Sequence, residues 1–163
     1  MKMFERLQAK KKDNKGFSLV ELIIVIAIMA ILVGVVGTQV VPYLNKSKVA
    51  KDQQLLSAFA TAAVSAYSYQ ADKITSSGAI VINDYFTAET DSEKKAIQDE
   101  MATLVGYAAT SAGKTSLQSK MSSAYGKSFG TLKITLDQST HTVLVELLGG
   151  TGTPVVPDAE ATL

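Results

Sequence analysis

The 163-residue chain has no cysteine and a single histidine, and its formal charge is only +1. Without cysteine there is neither a disulfide nor a thiolate metal site. With His141 as the sole imidazole, a histidine metal centre is untenable. His141 falls in a stretch that reads as a turn, where a solvated side chain is the plain expectation. Near-neutral charge argues against a general nucleic-acid-binding surface. A folded domain here must therefore be held by its apolar core alone, by a bound ion or by neighbouring copies.

Charge is also missing from most of residues 17–37. Phe17 to Gly37 is 21 residues, about 31 Å as a helix and enough to cross the hydrocarbon of a bilayer. Only Ser18 and Glu21 are polar within it. Its fifteen large apolar side chains, at roughly −0.3 kcal/mol each, contribute about −5 kcal/mol, against roughly +3 or less for one acid near the helix end. Insertion wins, yet an ionisable group in such a segment is costly and usually has a partner or a task. Residues 1–16 carry Lys2, Arg6, Lys10, Lys11, Lys12 and Lys15 against Glu5 and Asp13, a net +4. That end is expected to stay cytoplasmic with the rest outside. Two plainer readings fit less well. A secretory signal needs a small-residue cleavage site after its apolar core, and Gly37-Thr38-Gln39-Val40-Val41-Pro42 offers none. An ordinary single-span anchor leaves Glu21 without a role.

The run Lys15-Gly16-Phe17-Ser18-Leu19-Val20-Glu21 resembles the N-terminal signature of the type IV pilin and pseudopilin family, which is a basic leader, Gly, Phe, and Glu four residues later. The resemblance covers about the first 65 residues and implies that a prepilin peptidase cuts between Gly16 and Phe17 and methylates the new amine, giving N-methylphenylalanine. It also implies that Glu21 pairs with the Phe17 amine of a neighbouring subunit; in a low-dielectric bundle the two charges are tolerable together and expensive apart. Many Gram-negative members clamp a C-terminal loop with a disulfide, which this chain cannot do. The implied organisation is a cleaved leader (1–16), a membrane or filament-core half-helix (17–37), an amphipathic half (38–72) and a globular head (73–163). Without the leader the chain is close to −3 over 147 residues.

The helix is expected to continue past the membrane to about Ala71, with Val49, Leu56, Ala60, Ala63 and Tyr67 forming an apolar stripe. Lys46, Lys48, Lys51 and Asp52 read as surface, and the small residues of 57–66 permit close approach of another backbone. Family members commonly carry a proline where Thr38 stands; here it comes at Pro42, after Gly34 and Gly37. A helical proline costs about 3 kcal/mol and each glycine roughly 1. Residues 34–42 are thus the weak section, expected to bend in a lone subunit and to melt or stretch on packing into a filament.

Beyond the helix, Gly78–Asn83 reads as a short strand. Thr90-Asp91-Ser92-Glu93 has capping-box spacing ahead of Ile97, Met101, Leu104 and Val105, predicting a helix. Leu117, Met121 and Tyr125 predict another, capped by Gly126. Thr131–Asp137 and Thr142–Leu148 alternate as strands, joined over Gln138–His141. The tail from Gly149 is either an ordered edge or a loose end. The fold expected is α+β and pilin-like: a long N-terminal helix packed against a small C-terminal antiparallel sheet, with short helices in the connecting region.

No catalytic constellation or cofactor site is legible. Asp91, Glu93, Asp99 and Glu100 form an acidic cluster whose default is a solvated face, a calcium-type oxygen site being the alternative. Ala108–Thr115 approximates a phosphate-binding loop but has Ala where the first glycine belongs and follows no strand; Lys114 and Thr115 are better read as starting a helix. The reading is a non-enzymatic major pilin. Its expected partners are further copies of itself in a helical homopolymer, the prepilin peptidase, the assembly platform with its ATPase, and the membrane before assembly, with no nucleic acid. It is expected first in the cytoplasmic membrane and then in a surface pilus serving attachment, twitching motility or aggregation. The alternatives are a pseudopilin of a type II secretion or DNA-uptake system and, from a different class, a monomeric anchored binding domain.

Overall fold

A computed structural model describes residues 16–151 and 156–163; residues 1–15 and 152–155 lie outside the described residues. The chain divides into two compact units, Met1–Val41 and Pro42–Leu163. Helix α1 (Leu19–Tyr69, 51 residues) contributes to both. It continues without a break through Gly34, Gly37 and Pro42. A side chain at Gly34 or Gly37 would meet nothing within 4 Å, so no packing inside the chain calls for glycine there.

In the second unit α1 buries Leu56, Phe59, Ala60, Ala62, Ala63 and Ala66. The apolar stripe is centred as expected, with Val49 and Tyr67 half-buried at its edges and Phe59 as its largest member. Asp52 corrects the sequence reading. It is fully buried, because its carboxylate accepts from Ser122 N (2.6 Å), from Ser123 N (2.9 Å) and from the Ser123 hydroxyl. These donors compensate a charge that would otherwise be prohibitive to bury.

Strands β1 (Ala79–Ile82), β2 (Thr131–Asp137), β3 (Thr142–Leu148) and β4 (Ala159–Thr162) form one antiparallel sheet in the order β1-β2-β3-β4. Alternation buries one face, so the register brings apolar side chains together across it: Ile82, Ile134, Val145 and Ala159 lie in one row, Ile80, Leu136 and Val143 in the next. In the β2–β3 turn the Asp137 carboxylate accepts from the Ser139 hydroxyl and the Ser139 and Thr140 amides. Those bonds, the Ser139 hydroxyl foremost, hold its pKa below the usual range. His141 closes the turn, exposed and left-handed at φ 55°. The tail is an ordered edge where described: Val156 and Ala159 are buried, and Leu163 N donates to His141 O at 2.9 Å.

Three helices connect β1 to β2: α2 (Ser92–Val105), α3 (Ser111–Lys120) and α4 (Ala124–Ser128). The cap of α2 sits one residue later than its spacing suggests. Asp91, not Thr90, accepts from the Glu93 and Lys94 amides, and Gly106 ends the helix in the left-handed region. The single helix expected through Leu117, Met121 and Tyr125 is two. Met121 is extended, and Ser123 starts α4 by accepting from Gly126 N. Gly126 is therefore no C-cap. It lies buried inside α4, where a Cβ would collide with the Asp52 carboxylate. Around this frame Tyr85 packs edge-on to Phe59 and Phe86 at 5.2 and 5.0 Å between ring centres, and its hydroxyl donates to Tyr107 O at 2.7 Å. Burial, with the charge of Asp99 behind it, raises the Tyr85 pKa.

Candidate functional site: the start of helix α1

The groups that carry chemistry in the first unit lie within six residues. Gly16, Phe17 and Ser18 are non-helical and α1 begins at Leu19. Ser18 starts it. Its carbonyl accepts the first helical bond from Leu22 N (3.1 Å), and its hydroxyl accepts from Val20 N (3.3 Å). Glu21 reaches back from the first turn, its Oε2 accepting from Ser18 N at 2.9 Å. Glu21 thus makes its half of a capping box while the Ser18 hydroxyl caps Val20 N instead, both using donors that a helix start leaves without partners. A carboxylate there is also favoured by the helix dipole.

Phe17 is 89 % exposed, and among the described residues beyond its chain neighbours Gly16 has no atom within 4 Å of where a Cβ would be. Among the described residues nothing covers the Gly16–Phe17 bond. Downstream, every large apolar side chain from Leu19 to Val36 is exposed. An 18-residue window here has a mean hydropathy of 3.1, on a helix long and apolar enough to cross a membrane. A patch of this size on a monomer marks a surface that lipid or protein is meant to cover. One side holds an apolar recess of about 370 Å³ lined by Leu32, Val33, Val36, Gly37, Val40 and Val41.

Residues 11–37 match the family model of the prokaryotic N-terminal methylation motif. The motif supports the likeness to the type IV pilin and pseudopilin family at this end of the chain. No curated protein and no solved structure matches the chain. The matched motif takes in residues 11–15, Gly16, Phe17, Glu21 and the apolar run, and its signal is of the class that prepilin peptidases process. The apolar helix and the motif together fit a membrane-anchored precursor. Glu21, Phe17 and Gly16 adjoin one another within the matched motif, while Gly34, Gly37 and Pro42 stand further along α1. Ser18 was missed as a functional residue, although Ser18-Leu19-Val20-Glu21 ahead of an apolar run is itself the capping-box signal.

The four acidic residues of the expected cluster are engaged in structure. Asp91 caps α2, and Asp99 pairs with Lys95 at 3.1 Å. Glu100 accepts from Gln70 Nε2 at 3.2 Å. Glu93 clamps the loop before β1, accepting from the Thr75 amide (2.8 Å) and from the hydroxyls of Ser76 and Thr75. These bonds, Ser76 first, lower its pKa to about 2. In the 108–115 segment the Thr110 hydroxyl caps α3, accepting from Gly113 N. Lys114 donates to the Gly130 carbonyl and lies 5.7 Å from the centre of the Phe129 ring.

Proposed function

We propose that this chain is a major pilin, a structural rather than catalytic subunit. A prepilin peptidase cuts it between Gly16 and Phe17 and methylates the Phe17 amine, and it then polymerises through α1 into a type IV pilus on the cell surface. The observation that carries the reading is a membrane-length stretch of α1, Leu19 to Val36, with every large apolar side chain exposed and one carboxylate in its first turn. That carboxylate lies four residues from the amine that cleavage would create. Once assembled, Glu21 exchanges its own Ser18 amide for the Phe17 ammonium of a neighbour, a stronger charge-assisted partner. The pilus would serve attachment, motility or aggregation.

The test is mass spectrometry of the N-terminus in material sheared from cells and in the membrane fraction. N-methylated Phe17 in the sheared material is the expected result. Methylated Phe17 confined to membranes would make the chain a pseudopilin or minor subunit. An intact Met1 end would replace both with an anchored monomer.

A further inference from the structure

Peptide-bond hydrolysis needs the scissile carbonyl open to attack and to the donors that stabilise its oxyanion. In the proposed reaction that carbonyl belongs to Gly16. Were α1 to extend three residues upstream, the helical partner of Gly16 O would be Val20 N–H, four residues on. In the structure this donor is already taken: Val20 N donates to the Ser18 hydroxyl at 3.3 Å. The next constraint comes from Glu21, whose Oε2 holds Ser18 N at 2.9 Å and so occupies the donor that a further upstream turn would use. Among the described residues the Gly16 carbonyl accepts no hydrogen bond, and residues 16–18 stay out of the helix.

We infer that Ser18 is a positioning residue for the processing reaction: its hydroxyl stops α1 immediately after the cleavage point and keeps the Gly16–Phe17 carbonyl free for the peptidase. The inference rests on the proposed cleavage at Gly16. The two neighbouring polar groups in an otherwise apolar span thereby have distinct duties. Ser18 fixes where the helix starts, and Glu21 supports it until cleavage provides an amine.

The experiment follows cleavage of the full precursor in detergent micelles by a prepilin peptidase, with Ser18→Ala, Ser18→Thr, Ser18→Asn and Gly16→Ala in parallel. N-cap losses correspond to roughly a 2- to 30-fold change in the properly started helix. Ser18→Ala is expected to lower kcat/KM about fivefold, and Ser18→Thr and Ser18→Asn, both capping side chains, to recover most of it. A readout independent of the enzyme is the carbon chemical shifts of the uncut chain. Phe17 and Ser18 are non-helical in the parent, and in Ser18→Ala they move towards helical values. Unchanged cleavage and unchanged shifts in Ser18→Ala, with Gly16→Ala uncut, would overturn the inference and leave the cleavage reading standing. Rescue by Ser18→Thr but not by Ser18→Asn would also overturn it, since the enzyme would then be reading the hydroxyl itself. A parent chain left uncut at Gly16 would remove the cleavage reading and the inference with it.

Discussion

Replacing Asp52 by alanine tests how α1 is fastened to the rest of the head. The carboxylate accepts from two backbone amides and one hydroxyl, all at Ser122 and Ser123 and all in or near the buried interior. Truncation leaves two amides without an acceptor, at about 1–3 kcal/mol for each buried donor. It also removes the support for Ser123 as the cap of α4. The cost is about 4 kcal/mol in total, a large part of the 5–15 kcal/mol that holds a typical domain together. With an unfolding entropy of about 2.1 cal/mol/K per residue over roughly 120 residues, the melting temperature should fall by about 15 °C. The assay is thermal unfolding of the full chain in micelles, followed by near-ultraviolet dichroism of the tyrosines. This signal reports the packing of Tyr85 and Tyr107, whereas far-ultraviolet dichroism would be dominated by α1. A companion Ser123→Ala should cost about 1–2 kcal/mol, and the double variant less than the sum, because both lose the same bond. A fall below about 3 °C for Asp52→Ala would show that the carboxylate is dispensable and refute this account.

Other expectations follow from the same geometry. Glu21→Ala should still be cut, slowed by no more than the loss of one capping bond, but no filaments should appear in the sheared fraction; normal filaments would refute the pairing of Glu21 with a neighbouring amine. Gly126→Ala places a Cβ against the Asp52 carboxylate and 3.0 Å from the Ser123 hydroxyl, and should cost about 1–3 kcal/mol as overpacking, measured by the same unfolding assay. Glu93 has a pKa lowered to about 2 from 4.5, so its clamp on Thr75 and Ser76 contributes fully above about pH 4.5 and is lost as pH falls through about 2. The protection of those two amides, taken as the exchange rate relative to the intrinsic rate at each pH, should fall only across that acidic window; loss of protection at neutral pH would contradict the clamp.

The membrane half of α1 was plain from the sequence, because one carboxylate in a long apolar run has few explanations. β2 and β3 were equally plain, since two alternating runs joined by four turn-forming residues permit little else. β4 was not: Ala-Glu-Ala-Thr has weak strand character of its own, and pairing with β3 is what makes it a strand. Asp52 misled because an acid among lysines on a helix reads as surface. The amides that bury it lie 70 residues away, beyond any local pattern. Leu117, Met121 and Tyr125 keep a helical spacing across a real break, because Ser123 restarts the helix nearly in phase. Capping signals were the least secure. The spacing at 90–93 suggested Thr90, but Asp91 took the cap and left Glu93 for the loop before β1. The same pattern at 18–21 went unread because the residues around it already had an explanation.

The sheet has a consequence if, as proposed, the chain is packed densely in membranes and filaments. Its two outer strands, β1 and β4, have four residues each, against seven in each of the inner strands. Each rim therefore offers only a short row of unpaired amides and carbonyls, and β4 carries Glu160 on its length. Short, charged rims resist edge-to-edge joining of sheets, the route by which crowded β-proteins turn into aggregates. Association is thus discouraged along the sheet and left to the uncovered apolar face of α1, so that a chain with two conceivable ways of sticking to its copies is built to favour one.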